Sequence, residues 1–389
     1  MAALDPAAAT AGWIARLPAT QRAAAHAATD WRLAAWLGGG LIFIGACVVV
    51  ARNDTLGKLR RWVEAKRPQP WLASAIAAGA LTLILGSVNA MVGGLAGWRA
   101  DALLARGGGF PAPAGFEAHV GAAGAGIPLA VLAAMALVPP LLWLMRRLPR
   151  TWPLAAGAAA TAVILGLFWL PYALGAAPPM APAPPSPARD GVLQLIAEAR
   201  LPAQGVLAAP TPGFDADVIG GFGHAKVLMG RALLAGPPGE ARADVGHLMG
   251  HYVHNDILIV SLVGAAVILA GFFAMQRGAL AVARLIGVKG ATDAADPVVL
   301  PALAAIAYVT LILVALAGGA YLRAANVGAD AYSLDHARAP DGLVAVLEHD
   351  WNHLAVDPSP LAEAVLYTHP PLQGRIRQAM AWKAAHGGG

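Results

Sequence analysis

The sequence predicts a mainly α, polytopic membrane protein with about six transmembrane helices and a small α+β domain outside the bilayer. Three observations carry this. Of the 389 residues, 58% are apolar and only 13% charged, with a mean hydropathy of +0.60, far from a soluble globular average. Six apolar stretches are each long enough to cross ~30 Å of hydrocarbon. Two polar segments, 175–256 and 323–389, together supply roughly 150 residues, enough for a small shared core.

The spans are expected at 33–50, 71–97, 127–145, 153–174, 257–275 and 298–322, the second tilted or broken. This divides the chain into an N-terminal region 1–174 with four spans, a polar segment 175–256, a transmembrane hairpin 257–322 and a C-terminal segment 323–389. The first span starts too far in for a cleavable signal peptide and follows an Ala-rich amphipathic stretch, so it is expected to remain in the protein. Trp98, Trp143, Trp152 and Tyr172, near span ends, read as interfacial belt residues. Ala-rich and Gly-rich stretches fit close helix packing in lipid.

Charge adds topology and exclusions. Arg52, Lys58, Arg60, Arg61, Lys66 and Arg67 lie between spans one and two. Arg146, Arg147 and Arg150 lie between three and four, and Arg277, Arg284 and Lys289 between five and six. The positive-inside rule puts these alternate loops in the cytoplasm and the polar segments on the opposite face. The net charge of +5 and pI near 9.6 come from membrane edges rather than one aromatic-interleaved patch, which argues against nucleic acid as a partner. The lone cysteine, Cys47, lies inside the first span, so no intramolecular disulfide and no cysteine metal cluster is possible.

In the polar segment, Pro178-Pro179-Met180-Ala181-Pro182-Ala183-Pro184-Pro185 is a stiff connector in which helix is disfavoured. A helix is expected over 191–199 and short strands over 206–209 and 217–219. A Gly-rich turn, Gly220 to Gly223, precedes an apolar run at 227–234, and Glu240 opens the next helix.

That helix carries Gly246-His247-Leu248-Met249-Gly250-His251. Imidazoles four residues apart share a helical face and can grip one metal ion. In the H-E-x-x-H form of the motif, the residue after the first His is the Glu that takes a proton from metal-bound water. Here it is Leu248. A second i, i+4 pair, His349 and His353, reads as a solvated helix face. His254 reads as an interfacial side chain, and Asp256, at the membrane entry, as interfacial or paired with an imidazole.

The order of elements resembles the membrane-embedded zinc metallopeptidases that include CAAX prenyl protease 1 and the bacterial heat-shock protease HtpX. Asp215-Ala216-Asp217-Val218-Ile219-Gly220-Gly221 is similar to the family's N-A-x-x-x-G edge strand, with Val227 to Leu234 as the following strand. Ala329-Asp330-Ala331 matches the Ala-Asp-Ala signature after the last span, and Thr368-His369-Pro370-Pro371 through Arg375-Ile376 fits the C-terminal H-P-P-x-x-x-R-I signature. The resemblance implies a zincin-like α+β domain and zinc as cofactor, with His247, His251 and the position of Asn326 as ligands. Asp330 would support a histidine or swing in as the third ligand, His369 would stabilise the oxyanion and Arg375 would assist at the substrate. It also implies polypeptide substrates in a lipid bilayer, here a bacterial inner membrane. Family analogy places the domain on the cytoplasmic side, against the charge pattern.

Leu248 and Asn326 stand where that family has glutamates. An alkyl group cannot accept a proton, and a neutral amide binds zinc more weakly than a carboxylate, so zinc is expected to be weak or absent. Two readings follow: a metalloendopeptidase of membrane or misfolded proteins whose active site is degraded, with an unrecognised carboxylate as base, or a pseudopeptidase scaffold that binds peptides or partners without cutting them.

Overall fold

The computed structural model describes residues 4–67, 69–108, 110–176, 180–209, 211, 213–349, 351 and 353–387. Pro178 and Pro179 of the connector, and Asp350 and Asn352 beside the second histidine pair, lie outside them. The chain forms two compact units, one of residues 27–162 and 264–315, the other of 1–26, 163–263 and 316–389.

Among the described residues, six helices are long and apolar enough to cross a membrane: Ala19–Arg52, Pro70–Ala105, Phe116–Arg147, Trp152–Ala173, Asp256–Ile286 and Pro297–Ala337. The protein is therefore a multi-pass membrane protein. The second is one uninterrupted helix rather than a broken one. At ~1.5 Å per residue its 36 residues outrun the hydrocarbon and project beyond it. The third divides into Phe116–Gly124 and Ile127–Arg147, and the fourth passes through a π-helical turn, Leu165–Trp169, just before Pro171. Proline lacks the N–H that continues the helical ladder, and a π turn is one way to absorb the defect.

Small residues let the membrane unit close up. Ala77, Ala279, Ala283 and Ala302 are buried against Cys47, Leu81, Leu142 and Val299. Trp152 belongs to this core rather than to an interfacial belt: it is 2% exposed and meets the Phe272 ring edge-on. Trp143 is 52% exposed, whereas Trp98 packs edge-on against Phe116.

The other unit is the small α+β domain. Its sheet has strands β1 (Ala203–Ala208), β2 (Ala216–Gly221) and β3 (His224–Met229) in the order β1-β3-β2, with β1 parallel and β2 antiparallel to β3. β2 is thus an edge strand. Tyr172 donates to the Val218 carbonyl at 2.9 Å, so it pins β2 rather than acting as a belt residue. The apolar run at 227–234 does not continue as one strand: it breaks at Gly230 into a short helix, Arg231–Ala235. The Gly230 N–H donates to the Asp215 carbonyl at 2.6 Å, and a Cβ there would lie 1.6 Å from the Phe214 oxygen. Only glycine fits.

Helix Pro187–Glu198 opens with Ser186 accepting from the Arg189 N–H, a standard N-cap. It packs with the sheet and helix Pro238–His254 around Val192, Leu195, Val218, Val227, Met229, Val245 and Met249. Burial of each such side chain contributes about 1.5–3 kcal/mol. Helix Pro6–Arg16 also belongs to this unit, packed against Leu372–Ala385, and His26 meets Asp357 at 2.6 Å. The second histidine pair shares no helix: Pro340–His349 ends at His349, and His353 sits beyond at φ +58°.

Candidate metal centre

Helix Pro238–His254 presents His247 and His251 on one face, and helix Leu300–Ala337 presents Asn326 and Asp330, one turn apart, on its own. The two stretches meet closely because position 250 is glycine: a Cβ there would lie 2.8 Å from the Ala329 Cα. Asp330, fully buried, accepts from His247 Nδ1 at 2.8 Å.

Arg375, from Leu372–Ala385, fixes that aspartate. Its Nε donates to Asp330 Oδ2 and its Nη2 to Oδ1, both at 2.7 Å, a bidentate fork. Of the two roles the sequence leaves open for Asp330, support of a histidine or replacement ligand, the geometry has the first, with both oxygens engaged by His247 and Arg375. Arg375, expected at the substrate, also lines the cavity but holds Asp330 as a positioning residue.

His251 has its own carboxylate. Asn255 closes the helix in the left-handed region, at φ 56°, a conformation Asn tolerates better than most residues. The chain turns there and Asp256 folds back to accept from His251 Nδ1 at 2.7 Å, while Tyr321 donates to its other oxygen at 2.5 Å. Tyr321 gave no signal in the sequence, since a tyrosine near a span end reads as an ordinary belt residue. His254 sits edge-on to Tyr332, apart from this network.

A carboxylate can only accept, so each Nδ1 carries the proton and each Nε2 presents a lone pair. The two Nε2 atoms lie 3.1 Å apart. Two Zn–N bonds of about 2.0–2.1 Å at the tetrahedral angle separate nitrogens by roughly 3.3 Å, so the imidazoles fit one shared metal ion. A third ligand of the usual kind is missing. Among the described residues no three His, Cys, Asp or Glu converge on an ion. Asn326 is 2% exposed; its amide donates to the Leu322 and Thr368 carbonyls, and its oxygen has no partner. That orphaned oxygen is a neutral donor of the kind an ion or water satisfies.

Burial lowers the pKa of His247 below the ordinary histidine value. The same cause, helped by Arg375, pushes His369 down to about 4. Both imidazoles are neutral at physiological pH. A cavity of about 380 Å³ adjoins them, with Asp215, Asp244, His247, Leu248, His369 and Arg375 among its walls. Leu248 packs against the domain core beside it. Asp215 and Asp244 are carboxylates the sequence reading did not single out for this wall. Asp244 had a signal: it lies one turn before Leu248 on the same helical face.

Fold and site together describe a membrane-embedded relative of the zinc peptidases. The model for peptidase family M48 matches residues 188–383, half of the chain, and the protein belongs to that family, whose members are generally zinc-dependent. The crystal structure of S. mikatae Ste24p is similar over 84% of this chain and 84% of that chain, at 14% identity and a TM-score of 0.49. No curated protein matches the chain.

Proposed function

We propose that this member of the family binds polypeptide beside the two imidazoles and has lost efficient hydrolysis. The observation that carries this reading is the pair of imidazoles with Nε2 atoms 3.1 Å apart and Leu248 beside His247 on the cavity wall, where proton transfer needs a carboxylate. When bound, zinc would polarise a carbonyl and acidify water. His247 and His251 would hold it, with Asp330 and Asp256 fixing the ring orientations. With no carboxylate at position 248 to take the proton, turnover falls by about 10²–10⁴. Peptide capture needs none of that chemistry. The edge strand β2 offers main-chain pairing and the cavity offers room for a side chain.

Metal analysis and binding assays on the purified full chain test this. The expected result is zinc well below one per chain, lost entirely in His247→Ala, with anisotropy reporting peptide binding and no cleavage above background. Stoichiometric zinc accompanied by turnover would overturn it and leave the degraded-endopeptidase reading, with Asp244 as the first carboxylate to examine.

The basic loops support a cytoplasmic location for their end of the membrane unit, which puts the peptidase-like segments on the opposite face. In a Cys47→Ser background, an impermeant maleimide applied from outside should label Ala381→Cys, and Lys289→Cys only after permeabilisation. The reverse pattern sinks this orientation.

A further inference from the structure

The charged loops of the membrane unit do more than record topology. Arg60 meets Asp296 at 2.6 Å, joining the loop after the first span to the one between the last two. Arg146 donates to the Ala295 carbonyl at 2.6 Å, and Gln276 to the Pro149 carbonyl at 2.7 Å, joining the third loop to the same place. Segments distant in sequence thus form one rim.

Twelve basic side chains belong to the rim against four acidic ones. Asp54, Glu64, Asp293 and Asp296 are spent on Arg61, Arg60 and Arg146. Arg52, Lys58, Lys66, Arg67, Arg147, Arg150, Arg277, Arg284 and Lys289 are exposed, and none pairs with a carboxylate among the described residues. An excess this large repels itself unless anions cover it.

Apolar groups lie among these cations. Helix Thr55–Lys66 buries Leu56 and Val63 and turns Lys58, Arg61 and Lys66 outward. Trp62 beside them is 55% exposed, with the Lys66 ammonium 4.1 Å from its ring centroid. Trp71 is 55% exposed at the next span start, and Leu285 is 80% exposed beside Arg284. Cations alternating with Trp and Leu at span ends match the boundary where headgroups meet acyl chains, not a water-facing surface.

We propose that this rim is a binding surface for anionic phospholipid headgroups, with helix Thr55–Lys66 lying in the interface and Trp62 at the acyl boundary. This inference is independent of the site chemistry. Its test uses the full chain in nanodiscs of mixed phosphatidylcholine and phosphatidylglycerol, with lipid retention read by native mass spectrometry. Phosphatidylglycerol should be enriched, falling about fivefold for each cation removed in Lys58→Gln, Lys66→Gln and Lys289→Gln. The charge-keeping Lys58→Arg should retain it, which separates lost charge from lost folding. Brominated phosphatidylcholine should quench a fluorescence component that disappears in Trp62→Phe. Equal retention of both lipids, enrichment unchanged in the Gln variants, or no quenching attributable to Trp62 would each overturn the proposal.

Discussion

Converting Leu248 and Asn326 together to glutamate is expected to give a zinc-loaded protein that cleaves peptides about 10²–10⁴-fold faster than the natural chain. The imidazole spacing of 3.1 Å and the carboxylates behind both rings are already present. Glutamate at 326 would supply the anionic third donor that a zinc site of this kind needs. Glutamate at 248, on the cavity wall beside His247, would supply the proton acceptor. The two changes act on different steps, so neither suffices alone: Asn326→Glu should raise metal content without turnover, and Leu248→Glu should do little while metal is scarce. Metal stoichiometry and cleavage of a quenched fluorescent peptide read the two effects separately. If the double variant gains neither, the assignment of these positions is wrong.

Replacing Arg375 by methionine is expected to destabilise the peptidase-like unit by about 3–5 kcal/mol, because it strips both guanidinium bonds from a fully buried carboxylate. His247 Nδ1 alone would then face Asp330, with its ring already penalised by burial. Asp330→Asn should cost less, since the amide oxygen can still accept from Arg375, and the charge left unpaired is a guanidinium that retains some exposure rather than a fully buried carboxylate. Thermal unfolding in detergent should rank natural, Asp330→Asn and Arg375→Met in falling order. An Arg375→Met protein as stable as the natural one would show that the fork does not hold the helices together. Residual metal should fall in both variants, because the carboxylate that orients His247 is replaced in one and left without its own anchor in the other.

The spans were legible because a run of about 20 apolar residues has few fates other than the bilayer. The histidine pair was legible because i and i+4 share a helical face whatever surrounds them. Strands β1 and β2 were found short by a few residues, since strand ends depend on pairing partners the sequence does not name. The apolar run at 227–234 was misread because its break at Gly230 answers to the Phe214 carbonyl, a contact made across the sheet. Trp152 and Tyr172 were misassigned for the same reason: an aromatic ring near a span end suits an interface equally well as a core or a strand edge.

By itself the sequence determined the membrane class, the order of elements and the two imidazoles, all of which follow from composition, local periodicity or residue identity. Only the tertiary structure decided what faces those imidazoles. Arg375 turned out to grip Asp330 behind His247, and Tyr321 to hold Asp256 behind His251. Such pairings join residues from 45 to 83 positions apart, and no local rule fixes which distant helices will pack until their small residues and buried charges have all been satisfied at once.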